Sequence, residues 1–248
     1  MKIKYKQPYW AKFQWDLSNH HENQYVTEFN KTQNDKFLNF LHEDSFSITC
    51  NFRILNNYKT DKICMVYGKP GKNMGLSYNK ESGVLAFEFW TQGHDEDNDV
   101  FHFVPFNFVD RKDVENGITI TVTREKDKFT LYKNFEKVNI EKFKRNLIDD
   151  YLESGLLIGC SNPGTGTPEH RYYGDMDIYY LNVVQGTSDI NTAKELYETN
   201  VDKIVNLECY KDILCLYDFE NINNLGIVYD ESSNSNFLER VPDEFILE

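Results

Sequence analysis

RYYGDMDIYYLNVVQGTSDINTAKELYETN, residues 171–200, is the stretch on which the fold turns. A glycine and a short acidic cluster lead into an alternating segment, Met176 to Val184, rich in aromatic and branched residues. That composition suits a pleated, half-buried strand. The turn formers Gln185, Gly186, Thr187 and Ser188 stop it. Ser188 or Asp189 can then cap one short helix, with Lys194 and Glu195 outward and Ala193, Leu196 and Tyr197 inward.

Working outward, the same period of two recurs upstream. SFSITCNFRIL, residues 45–55, puts Phe46, Ile48, Cys50, Phe52 and Ile54 on one face. KICMVY (62–67) is a second strand, and residues 74–78 and 84–90 flank a hairpin turn with Gly83 where positive φ is expected. Residues 101–108 are apolar after a polar loop, QGHDEDND (92–99). GITITVTR (117–124) and KFTLY (128–132) form another hairpin, LLIGC (156–160) a further strand, and SNPGTGTPEH (161–170) the most turn-rich loop. A short apolar strand is also expected at 37–41.

In this order, the segments from 45 to 200 resemble a concanavalin A-like, laminin-G-type jelly-roll domain. Such domains close with a Gly-x-Ile/Leu-Asp strand, a hydrophobic segment and a short helix ending in a Leu-Tyr pair. Here these match Gly174 to Asp177, then Ile178 to Val184, then Ala193 to Tyr197. The resemblance implies an all-β, two-sheet antiparallel jelly-roll sandwich with one short helix near 189–198. Three regions are expected: an N-terminal arm or early strands at 1–36, the sandwich at 37–200, and a C-terminal strand segment at 201–248. Residues 212–236 resemble the opening of such a domain, although they come last. A permuted strand pairing back into the same sandwich is preferred over donation to a neighbour or a truncated second copy.

Composition bounds the function. The 248 residues carry a formal charge of −13, which disfavours nucleic acid and anionic membrane surfaces as partners. Five cysteines without CxxC spacing, mostly in apolar runs, read as buried free thiols. MKIKYKQPYWAKFQW, residues 1–15, has basic residues but no apolar core, so no export signal is read, and no apolar run has the length of a membrane span. With an Asn-, Lys-, Asp- and Ile-heavy composition, this points to a virion component made in a host cytoplasm, partnered by other structural subunits and oligomeric.

For chemistry, glycoside hydrolysis on this sandwich uses carboxylates spaced Glu-x-Asp-x-x-Glu on one strand, and no such run occurs; Glu88 stands alone. GxSxG, HExxH and Walker-type loops are absent, and the histidines lack zinc spacing. Asp95, Asp97 and Asp99 alternate, but Val100 and Phe106 stand where an EF-hand needs glycine and glutamate. A looser calcium site could draw on Asp97 and Asp99. The resemblance makes Asp177 a calcium ligand or a hydrogen-bonding residue, and Asp175 lies on the same face of an extended strand. Trp90, His94 and Asp95 beside the acidic loop, and Tyr172 and Tyr173 beside the turn-rich loop, are candidates for carbohydrate binding, since aromatic rings pack on pyranose faces while carboxylates bond hydroxyls. The expected function is a non-enzymatic virion structural or adhesion module, binding cell-surface glycan through edge loops, with Ca2+ as the one candidate cofactor. The alternatives are a carbohydrate-active enzyme and an intracellular protein-interaction domain.

Overall fold

The computed structural model describes residues 26–28, 45–55, 63–68, 74–93, 98–148, 157–158, 176–219, 228–229, 231–232 and 237–240. Alternation of apolar and polar residues gives strands because successive side chains on extended backbone point to opposite faces. Among the described residues these are β1 (Val26–Glu28), β2 (Ser45–Ile54), β3 (Ile63–Gly68), β4 (Met74–Asn79), β5 (Val84–Thr91), β6 (Val100–Pro105) and β7 (Ile118–Glu125). They continue as β8 (Lys128–Lys133), β9 (Glu136–Lys142), β10 (Leu157–Ile158), β11 (Met176–Gln185), β12 (Ile213–Asp218), β13 (Val228–Tyr229) and β14 (Phe237–Arg240). The strands make an eight-stranded sheet, β13-β14-β1-β10-β3-β4-β5-β6, and a six-stranded sheet, β12-β11-β2-β7-β8-β9. Pairing is antiparallel in both, and the fold is a jelly-roll β-sandwich.

The core lies between the sheets and follows the expected alternation. Phe46, Ile48, Cys50 and Phe52 of β2 are fully buried, with Ile120 of β7 beside Cys50 in the same sheet and Phe87 of β5 contributed by the other sheet. Phe129 of β8 is the hub of an aromatic seam, its ring centre 4.9 Å from Phe87, 4.7 Å from Phe89 and 5.2 Å from Phe143. Each such side chain contributes about 1.5–3 kcal/mol through burial, and edge-to-face contacts add about 0.5–1.5 kcal/mol per pair. Cys50, Cys64, Cys209 and Cys215 are buried free thiols. Burial pushes the Cys50 and Cys209 thiols up, which keeps them unreactive.

Two hairpins turn as their residues dictate. Gly83 takes φ 71° in the β4–β5 turn, a conformation that costs glycine nothing. The β8–β9 turn is built on Asn134 and Phe135, both at positive φ (49° and 68°). Asn134 N–H donates to the Thr119 carbonyl at 2.8 Å and its side-chain oxygen accepts from Thr119 N–H at 3.2 Å, which offsets that strain.

Polar residues on the outer face of the six-stranded sheet do not all face water. Ser47, Thr49, Thr121 and Asn182 are fully buried. Helix α2 (Ile190–Glu198) contacts β2 and β7. Together with 3-10 segments Val201–Asn206 and Glu208–Asp212, it builds a second small core from Val184, Leu196, Ile204, Cys209, Ile213 and Leu216. Beneath it the hydroxyls of Thr49 and Thr121 bond each other at 3.1 Å, and Asn182 donates to the Tyr180 hydroxyl at 2.7 Å. Asp189 caps α2, its carboxylate accepting from Asn191 N–H at 3.1 Å. A shorter helix, α1 (Arg111–Asn116), carries a capping box between Asp110 and Asp113. The sequence reading did not foresee α1, β9 or the 3-10 segments.

β12 of the C-terminal segment pairs antiparallel with β11, Leu181 opposite Tyr217, and forms an edge of the six-stranded sheet. β1 lies between β10 and β14, Val26 facing both Ile158 and Arg240. The strand expected at 37–41 lies outside the described residues. No described helix is long and apolar enough to cross a membrane.

Candidate functional site

β6 is an edge strand of the eight-stranded sheet, paired to β5 with Trp90 opposite Phe101, Glu88 opposite Phe103 and Ala86 opposite Pro105. Phe106 N–H donates to the Leu85 carbonyl at 2.9 Å, and this fixes the phase of the ladder. Residues 87, 89 and 91 then exchange hydrogen bonds with 104, 102 and 100, while Trp90–Phe101 and Glu88–Phe103 are the closer, non-hydrogen-bonded pairs. The peptide groups of Phe101 and Phe103 therefore point away from β5, toward the open edge. The Pro105 carbonyl points the same way and accepts from Asn139 Nδ2 of β9 at 2.7 Å.

Alternation sorts the aromatics. Phe87, Phe89 and Val104 face the core, and His102 stacks on Phe89 at 4.4 Å with its Nε2 3.0 Å from Thr91 Oγ1. Glu88, Trp90, Phe101 and Phe103 face outward. Phe101 and Phe103 are 44% and 49% exposed, which is unusual for phenylalanine on a sheet this well packed. The Trp90 and Phe101 rings lie 5.0 Å apart, tilted by 48°. Two positions along a strand is about 6.7 Å, so Phe101 and Phe103 offer two adjacent apolar plates.

Glu88 is the carboxylate in this row. It is half-buried and accepts a hydrogen bond from Ser77 Oγ on β4. Burial pushes its pKa up, and the Ser77 hydroxyl draws it part of the way back. Opposite it stands Gly75, where a Cβ would fall 2.5 Å from Met65 Cε. The missing side chain is what leaves room for the Met65 methyl group.

The β5–β6 connection closes in a narrow neck. A Cβ on Gly93 would fall 1.8 Å from the Asn98 carbonyl oxygen, so only glycine permits this approach. Gly93 N–H donates to Asp99 Oδ1 at 3.3 Å, and Arg145 Nη1 donates to the Gln92 carbonyl at 3.3 Å. Segment 146–148 runs along the end of β5, bridging Thr91 to Leu147.

Of the residues expected to bind carbohydrate, Trp90 sits in the outward row, while His94, Asp95, Tyr172 and Tyr173 lie outside the described residues. So do the calcium candidates Asp97 and Asp175. Asp99 is at the neck. Asp177 is on the other sheet, paired in register with Arg53 of β2. Its carboxylate accepts from Arg53 Nε at 2.5 Å and from the Tyr179 hydroxyl at 3.3 Å, with the Asp177 side chain 2% and the Arg53 side chain 25% exposed. Among the described residues no three metal-ligating side chains converge. Sequence reading weighed Glu88 only as a lone carboxylate for hydrolysis and did not single out Phe101 or Phe103. The signal was Glu88-x-Trp90 set against Phe101-x-Phe103, which needs the register to be read.

Comparison with known proteins gives the fold and little else. No family model matches the chain, and no curated protein matches it in sequence. Among solved structures, a proposed carbohydrate-binding protein from Bacteroides ovatus ATCC 8483 matches with a TM-score of 0.55 at 14% identity, over 89% of this chain and 58% of that one. Domains LG4-5 of the mouse laminin α1 chain match with a TM-score of 0.45 at 12% identity, over 69% and 40%. The CBM40 of Ruminococcus gnavus IT-sialidase gives 0.39 at 12% identity, over 55% and 76%. This chain thus spans 58% of the Bacteroides protein and 40% of the laminin pair. The chain is a two-sheet antiparallel jelly-roll β-sandwich that shares its fold with the Bacteroides ovatus protein.

Proposed function

We propose that this chain is a non-catalytic carbohydrate-binding module whose ligand lies on the outward row of β5 and β6. The observation that carries the reading is the pair of exposed rings, Phe101 and Phe103, beside Trp90 and a half-buried carboxylate. Flat rings take the apolar face of a pyranose, and a fixed carboxylate accepts from its hydroxyls. The peptide groups at the open edge of β6 add donors and acceptors along the same row. A lone carboxylate among the outward residues of β5 and β6 suits binding better than hydrolysis, which needs an acid and a second carboxylate across the bond. The fold shared with a proposed carbohydrate-binding protein agrees with this reading without carrying it. In the virion setting expected from composition, such a module would serve adhesion to surface glycan.

The test is a glycan array followed by calorimetric titration of the oligosaccharides it identifies. Replacing Phe101 and Phe103 together by alanine is expected to weaken binding at least tenfold while leaving the circular dichroism spectrum unchanged. Exposed edge aromatics also mark protein interfaces. Concentration-dependent dimerisation abolished by the same double substitution, without glycan binding, would replace the carbohydrate reading with a self-association one.

A further inference from the structure

We propose that two copies of this chain pair through the open edge of β6, joining their eight-stranded sheets and completing the carbohydrate face between them. The pairing stands on the edge itself, and the shared face rests on the carbohydrate-binding reading above.

β6 and β9 are edge strands of the two sheets and meet where Asn139 bonds the Pro105 carbonyl. They are built differently. β9 carries the devices that keep edges from pairing. Its ladder with β8 is interrupted by a register shift at Leu131/Tyr132, and Lys137 and Lys142 stand exposed along it. Asn139 Oδ1 accepts from Ile140 N–H at 2.8 Å, which occupies an edge donor. β6 has none of these between Val100 and Val104. Its ladder with β5 runs without a register shift, and the segment VFHFV holds no lysine, carboxylate or proline. The outward peptide groups of Phe101 and Phe103 have no backbone partner among the described residues. The open edge ends at Pro105, which lacks an N–H and whose carbonyl is already held.

Symmetry identifies the occupant. An antiparallel copy centred on His102 sets Phe101 against the partner's Phe103, and Phe103 against the partner's Phe101. Both are hydrogen-bonded pairs that exchange N–H and C=O, and both bring ring beside ring on the outward face. Trp90 lies opposite Phe101 and Glu88 opposite Phe103 in each copy. Across the joined sheet one lateral row therefore reads Trp90, Phe101, the partner's Phe103 and the partner's Glu88, at a strand spacing of about 4.8 Å. A single copy places only one ring opposite the indole and one opposite the carboxylate. Pairing lines up three rings and an acid, and the two-fold axis repeats the row.

Sedimentation equilibrium of the full chain without glycan reads the pairing, and a concentration-dependent monomer–dimer equilibrium is expected. Phe101→Lys with Phe103→Lys sets like charges opposite each other and should weaken association at least tenfold. Phe101→Lys with Phe103→Glu sets opposite charges across the same pairs and should restore it at low salt. Circular dichroism checks the fold of both variants. His102→Cys reads the register. Residues paired without hydrogen bonds lie about 4.5 Å apart at Cα, within disulfide reach, so mild oxidation should give a covalent dimer. The described native thiols are buried and do not compete. On a printed glycan array, below the dimerisation midpoint, the oxidised dimer should bind at least tenfold tighter than the same variant reduced. A monomer at every concentration, or equal loss with both charge pairs, would overturn the pairing and leave carbohydrate binding to the single-copy face. Equal glycan affinity of the oxidised and reduced forms would overturn the shared face alone. A dimer that binds nothing on the array would remove the shared face together with the carbohydrate reading, while the pairing stands.

Discussion

Replacing Asp177 by asparagine tests whether this carboxylate is a strut of the sandwich or part of a metal site. The side chain is 2% exposed and accepts from Arg53 Nε at 2.5 Å and the Tyr179 hydroxyl at 3.3 Å. A charge-assisted hydrogen bond contributes about 1.5–3 kcal/mol and a long neutral donor bond about 0.5 kcal/mol. Stranding a fully buried partner would raise the loss to about 3–5 kcal/mol, but Arg53 keeps a quarter of its side chain in water and can rehydrate. The expected loss is therefore about 2–3 kcal/mol, or about 5–10 °C in melting temperature for a chain of this size. Urea unfolding of the wild type, Asp177→Asn, Arg53→Met and the double variant gives the coupling directly. The same series is run in calcium and in chelator. A loss below about 0.5 kcal/mol would refute the strut. A loss present only with calcium would return Asp177 to the metal role that the family resemblance implied.

Other changes follow from single residues. Phe108 is 86% exposed at φ 62°, so Phe108→Gly removes strain without removing packing, and should raise stability by about 1 kcal/mol in thermal unfolding. Tyr67 buries its hydroxyl in the core with no hydrogen-bond partner among the described residues. Tyr67→Phe is expected to be neutral or stabilising by about 1 kcal/mol, and a marked loss in chemical denaturation would mean the hydroxyl is satisfied. Burial raises the Glu88 pKa above its unfolded value, so its folded-state contribution is complete below that value and declines as pH rises through the folded one. The melting temperature of Glu88→Gln relative to wild type should therefore climb between pH 4 and pH 7; parallel profiles would contradict this.

Much of the architecture was legible because it is written in local alternation. Phe46, Ile48, Cys50 and Phe52 face inward as their spacing demands, and Asp189 caps α2 as one of two residues read for that role. β9 was not legible, because EKVNIEK lies at a sheet edge with charged residues on both faces. Helix α1 buries only Val114, too little to leave an apolar stripe, although Asp110 and Asp113 spelled its capping box. The Ser and Thr residues on the outer face of β2 and β7 are buried under α2, and which element covers a polar face is a tertiary fact.

The candidate site was half legible for the same reason. Phe87, Phe89, Phe101 and Phe103 are indistinguishable by type and spacing. Register and the edge position of β6 turn the first two inward and leave the others in solvent. Trp90 was singled out for its proximity to the acidic loop, whereas its neighbours in the outward row come from the facing strand. Composition has no spatial counterpart, so the virion context expected from it has none in the fold.

The position of β1 between β10 and β14 bears on how the protein is made. Val26 emerges from the ribosome long before its neighbour Arg240. Until then the growing polypeptide carries an incomplete template for hydrogen bonding, open to any passing extended segment. Such distant closure makes acquisition of the native state slow.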